Sequence, residues 1–177
     1  MATTGATFPA TIVSDSAVGV NAWNSPTNAG ADDGVITSCV THASTTTGNV
    51  DDIVRLVIGG VISGTDLSDA QSFSSAGLKT FGSASELWGL TPTVAEINGS
   101  DFGVVLSVRN TFGGAHTPTQ YLKATNFGFS IPAGSTINGI EVVYDVVAAS
   151  SGNVRIDYVT LNITYTTSTN SGFLMFM

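Results

Sequence analysis

Catalysis by a serine or threonine nucleophile needs a base within hydrogen-bond reach, and this chain offers two histidines for that work, His42 and His116. Both stand in Thr- and Gly-rich stretches that read as loops, where an exposed, solvated imidazole is the ordinary outcome. Zinc takes clustered His and Cys ligands, and a single cysteine, Cys39, with two distant histidines makes no such pattern. Within its apolar run, Cys39 reads as a small buried hydrophobe. Oxygen ligands are better represented. Asp32-Asp33 before Gly34, and Asp51-Asp52, are pairs that a calcium-binding loop could use, although neither fits the helix–loop–helix pattern. Adjacent acids more commonly cap a turn or face water. Glycosidases need two carboxylates across a cleft, and no such pair stands out here. Trp23, Trp88 and Tyr121 carry flat rings of the type that cover apolar sugar faces, and core packing explains the same rings. The expectation is a protein that is not an enzyme, with no cofactor and no metal needed for folding.

The last residues form a different kind of feature. Phe173, Leu174, Met175, Phe176 and Met177 follow the polar spacer Thr166-Thr167-Ser168-Thr169-Asn170-Ser171 and one glycine. Five apolar side chains are too few to span a bilayer, which takes about 18 or more. They are expected to leave water, against their own domain or in a neighbouring subunit. The second is adopted as an assembly role for residues 173–177.

Composition narrows the classes of partner. The 177 residues hold five Lys and Arg against thirteen Asp and Glu, a net charge of −8. Nucleic-acid binding draws on clustered cations that displace counterions, and Arg55, Lys79, Arg109, Lys123 and Arg155 are scattered. The same deficit argues against an anionic membrane surface. Only 10% of residues are charged and 42% are hydrophobic, the opposite of a disordered chain. One cysteine allows no internal disulfide, and the first residues, Met1-Ala2-Thr3-Thr4-Gly5, have no basic region or apolar core of a signal peptide. Synthesis in a cytoplasm is expected, where the sequons at Asn98 and Asn162 carry no sugar.

The elements that must position these residues read as strands. Glutamate occurs only at 86, 96 and 141, while β-branched residues run throughout. Phe102, Val104, Leu106 and Val108 share one face of a strand, as do Ile140, Val142, Tyr144 and Val146. In the closing stretch, Val154, Ile156 and Tyr158 oppose Val159, Leu161, Ile163 and Tyr165, which predicts a strand with two apolar faces, buried on both sides or at an interface. Further strands are expected over 11–14, 18–23, 35–41, 53–62, 71–73 and 121–130, separated by turns such as Asp33-Gly34, Gly59-Gly60 and Asn138-Gly139. One helical turn is expected over 91–97, capped by Thr91 with Pro92 in its first position. The pattern predicts a single all-β domain, a β-sandwich over residues 1–170, with the apolar tail at 171–177.

Four segments carry a family resemblance. They are Val20-Asn21-Ala22-Trp23-Asn24-Ser25-Pro26; Glu86-Leu87-Trp88-Gly89-Leu90-Thr91-Pro92, continuing to Leu106; Phe127-Gly128-Phe129-Ser130-Ile131-Pro132, continuing to Val142; and Arg155-Ile156-Asp157-Tyr158-Val159, continuing to Tyr165. Together the chain resembles a family of phage and prophage-encoded proteins found among virion structural genes. In that family the block at 127–142 precedes the block at 88–106, and here it follows. The resemblance implies a jelly-roll-like β-sandwich and a structural role, as a capsid decoration or a tail or fibre component, in a virion assembled in the host cytoplasm. For a structural protein of this kind symmetric assembly is the default, so a homo-oligomer is expected, a trimer first, in contact with other virion subunits. The alternatives are a carbohydrate-binding module of a phage appendage, its glycan held by Trp23, Trp88 or Tyr121, and a filament subunit at an extracellular surface.

Overall fold

The computed structural model describes residues 1–41, 48–111, 118–150 and 152–168. The strands are β1 (Ala2–Thr3), β2 (Thr11–Asp15), β3 (Thr37–Val40), β4 (Asn49–Ile58), β5 (Val61–Ser63), β6 (Gly77–Ser83), β7 (Gly103–Asn110), β8 (Tyr121–Thr125), β9 (Thr136–Ser150) and β10 (Asn153–Thr166). They form two antiparallel sheets. The first runs β1-β10-β9-β6, with β3 also beside β10; the second runs β2-β8-β7-β4-β5. The protein is an all-β sandwich, as its turn-punctuated alternation predicts. The chain alternates between sheets through β1–β4, as in a jelly roll; later the pairs β4–β5, β7–β8 and β9–β10 each keep consecutive strands in one sheet.

The core lies between the inner faces. Ile140, Val142, Tyr144 and Val146 of β9 face Val54 and Leu56 of β4, Val104, Leu106 and Val108 of β7, and Leu122 and Ala124 of β8. The closing strand contributes Val154, Ile156, Val159, Leu161 and Ile163, all buried in the same cluster. The two apolar faces expected of this strand are therefore one. Ile156 pairs with Val146 and Val159 with Tyr144, so β10 advances three residues where β9 advances two. That extra residue is a β-bulge, and it switches the phase of alternation. β4 does the same: Asp51 pairs with Val108 and Ile53 with Ser107, so one residue is extra at the Asp51-Asp52 pair.

Other local expectations change. Residues 53–62 are a hairpin, β4 and β5, turning at Gly59 and Gly60 with φ of 58° and 79°. Residues 18–23 and 71–73 make only isolated bridges, Asn21 to Thr119 and Ser72 to Val50. β8 stops at Thr125 because Asn126 turns left-handed at φ 59°. Phe127 and Phe129 then stack at 5.9 Å and 11°, with Gly128 between them at φ 69°. Nothing lies within 4 Å of a Cβ built there, so Gly128 supplies a backbone conformation rather than room for a neighbouring chain. The helical turn α1 spans Val94–Ile97, and its cap is Thr93 rather than Thr91. Thr93 and Glu96 form a capping box, and the bonds from the Thr93 backbone and hydroxyl hold the Glu96 carboxyl below its ordinary range. A 3-10 turn at Pro26–Ala29 and strands β1 and β6 were not signalled.

Candidate functional site

The aromatic candidates are spent on packing. Trp88 is fully buried, and its indole N–H donates to the Ile140 carbonyl at 3.0 Å. Trp23 is buried at the other side of the core and donates to the Gln120 carbonyl at 2.8 Å. Neither ring presents a face to a sugar, which corrects that expectation for both. Tyr121 points from β8 to the outer face of the second sheet, where it covers Val57 and Val105 and is itself only 8% exposed. Around it stand Arg55, Asp66, Asp52 and Asp15. Burial pushes its phenol upward, and Arg55 opposes that push.

The acidic pairs separate. The bulge in β4 turns Asp51 inward, where it is 1% exposed, and Asp52 outward, where it meets Arg109 Nε at 3.0 Å. Asp51 Oδ2 accepts the backbone N–H groups of Asp69 and Ala70 at 2.7 and 3.1 Å. The irregular stretch that it holds covers the margin of β4 beyond β5: Asp66 Oδ1 accepts from Val54 N, and Gln71 O accepts from Asp51 N. A carboxylate there ties a loop where a strand would otherwise pair. Burial raises the Asp51 carboxyl above its ordinary value, against those N–H groups. Asp32 and Asp33 are exposed, and Asp33 Oδ1 accepts from Val35 N as a turn cap. Their loop lies on the outer face of the first sheet, where Asp157 accepts from Gly34 N at 3.1 Å. Burial, then the charge of Asp32, raises Asp157, with Asp145 and Asp33 adding to it. Among the described residues, no three His, Cys, Asp or Glu side chains converge as a metal site. Cys39 is buried and its thiol is pushed up to about 12 by desolvation. His42, His116 and the tail residues 173–177 lie outside the described residues.

An open concavity is built by residues not singled out as a site from sequence. One wall is the stretch 87–98, closed by α1 and anchored in the core by Ile97. The other is the turn 131–137, which leads into β9. Asn98 clamps the two walls: its Nδ2 donates to Ile131 O and its Oδ1 accepts from Ile131 N, both at 2.9 Å. Between them lies an open groove of about 750 Å³, within the size range of small-molecule sites. Leu87, Pro92, Val94, Ala95, Ile131 and Ile137 make its lining predominantly apolar. Thr93 and Thr136 give it polar points, and the Ser135 hydroxyl is buried there with no hydrogen-bond partner among the described residues. Local pattern could not reveal this site, because its walls come from loops about forty residues apart. Comparison with protein-family models, with curated proteins and with solved structures finds no match for this chain.

Proposed function

We propose that the protein is a non-enzymatic structural component of a virion, a capsid decoration or a tail or fibre part, acting by association with further copies of itself and with neighbouring subunits. The observation that carries the association is at the sheet margins. Val13 on β2, Val40 on β3, Val61 on β5 and Leu78 on β6 are 43%, 45%, 65% and 60% exposed. Outermost strands of monomeric proteins are usually blunted by charge or proline, because their unpaired backbone groups and apolar side chains recruit other chains. Here four outermost strands each hold an aliphatic residue in water. The virion setting is supported by the family resemblance of the sequence. The sugar-binding reading is set aside, since the burial of Trp23 and Trp88 removes its two best platforms.

The test is light scattering on the purified full chain across a concentration series, with Val61→Lys and Leu78→Lys alongside. Both positions are exposed, so a lysine there leaves the core alone. A symmetric oligomer, with a trimer expected first, that dissociates in at least one variant supports the proposal. A wild-type chain that stays monomeric at its highest soluble concentration, and does not co-sediment with particles, overturns it.

A further inference from the structure

The groove between α1 and the 131–137 turn lies where the described chain ends. Tyr165 and Thr166 of β10 pair with Ile137 and Thr136, two residues of the groove wall. Beyond the strand, the Ser168 hydroxyl donates to the carbonyl of Gly134, a third. Ser168 therefore stands on the rim, and the nine residues after it include all five of the apolar tail. Only Thr169, Asn170, Ser171 and Gly172 separate Ser168 from Phe173. Five residue steps reach up to about 17 Å when extended, more than a groove of this volume requires.

We propose that this groove is the seat of the chain's own C-terminal segment, residues 173–177, docked in cis. Three arguments select that occupant. The first is chemical match: the lining of Leu87, Pro92, Val94, Ala95, Ile131 and Ile137 is carbon, and so are the side chains of Phe173, Leu174, Met175 and Phe176 for the most part. Charge provides the second. No Lys, Arg, Asp or Glu lines the groove, and none occurs in 169–177, so docking buries no charged side chain in an apolar site. The third is proximity. A short flexible tether holds its end at an effective concentration on the order of millimolar, so a protomer's own tail outcompetes another copy's at micromolar protein.

This inference does not depend on the virion reading, because it concerns a contact within one protomer. It does reassign residues 173–177 from an arm that reaches a neighbour to a segment that covers apolar surface on its own domain.

The experiment compares backbone amide spectra of the full chain and of the full-length double variant Phe173→Ser/Phe176→Ser. The expected result is a set of shift changes concentrated in 93–98 and 131–137 and the same at every protein concentration. Shifts that appear in the wild type only as concentration rises would place another copy's tail in the groove and overturn docking in cis. Unchanged groove amides would overturn docking altogether. A second variant, Ala95→Asp, puts a charge on the exposed wall of α1 and leaves the tail intact. It should shift the amides of 173–177 toward those of an unfolded peptide, and tail amides that do not move would count equally against the proposal. Oligomer size, read on the same samples, tests the functional reading separately.

Discussion

Replacing Trp88 by phenylalanine separates a packing tryptophan from a ligand platform. The ring is fully buried, and a Cβ built on Gly82 would lie 2.9 Å from its Nε1, so the indole edge fits directly against the β6 backbone. Its N–H donates to Ile140 O at 3.0 Å, joining the 83–90 turn to the middle of the first sheet. Phenylalanine keeps most of the apolar contact and removes that donor. An acceptor left unpaired in the interior costs about 1–3 kcal/mol. A void of roughly 40 Å³ adds about 1 kcal/mol at ~24 cal/mol per Å³. The total, about 2–4 kcal/mol, corresponds to a fall in Tm of roughly 4–16 °C for a domain of this size. Differential scanning calorimetry reads the shift. Urea titration should give an unchanged slope with a lower midpoint, since the surface exposed on unfolding hardly changes. A variant melting within a degree of the parent, with sugar binding lost, would refute the packing account and restore Trp88 as a binding residue.

Asp157→Asn should raise Tm near neutral pH by about 1–3 °C, because it keeps the oxygen that accepts from Gly34 N and removes a charge opposed by burial and by Asp32. The raised carboxyl favours the folded state in its protonated form, so its contribution is full below the ordinary Asp value of about 4 and is lost as pH rises through the folded value. Melts across pH should therefore converge in acid and separate toward neutrality; an equal offset at all pH values would show that the charge is not the cause. Gly103→Ala places a Cβ 1.9 Å from Ala124 O, across the β7–β8 pairing, and should cost about 1–3 kcal/mol or more. Amide exchange should then quicken first along β8, and undisturbed β8 protection would contradict the predicted clash.

What the sequence shows of the fold follows from how local each signal is. The strand at 102–108 alternates without interruption, and the structure places its alternate side chains in the core. The Gly59-Gly60 turn is equally local, although the apolar residues around it read as one strand. β10 misleads because its bulge at Asp157-Tyr158 is set by pairing with β9, which no period within the strand reports. Counted in strict twos, its apolar residues fall on both faces, and only the partner's register brings them to one. Thr91-Pro92 is a strong opening signal, yet the cap of α1 lies two residues further on, at Thr93. Thr93 competes through Glu96, three residues on, and the capping box satisfies two backbone donors where Thr91 would satisfy one. No segment-level signal marks the groove, since Asn98 reaches Ile131 only after the sandwich has brought their loops together.

The acids and tryptophans that look like chemistry have a common structural use. With 18 charged residues in 177, the chain has few polar side chains to spare, yet irregular segments around its sheets carry backbone groups that need partners. Asp51 serves the N–H groups of Asp69 and Ala70, and Asp66 serves Val54. Glu86 accepts from Trp88 N, Asp157 serves Gly34, and both indoles serve carbonyls. The links of Asp51, Asp66, Asp157 and Trp88 tie loops to strands, those of Asp51 and Asp157 beside a β-bulge. Ranking residues by catalytic potential therefore selects the fold's fasteners. The surface features left over are aliphatic: the exposed residues of β2, β3, β5 and β6, and the groove at whose rim Ser168 stands. An apolar surface offers area and shape rather than proton transfer, which suits the association proposed between copies at the sheet margins and within one chain at the groove.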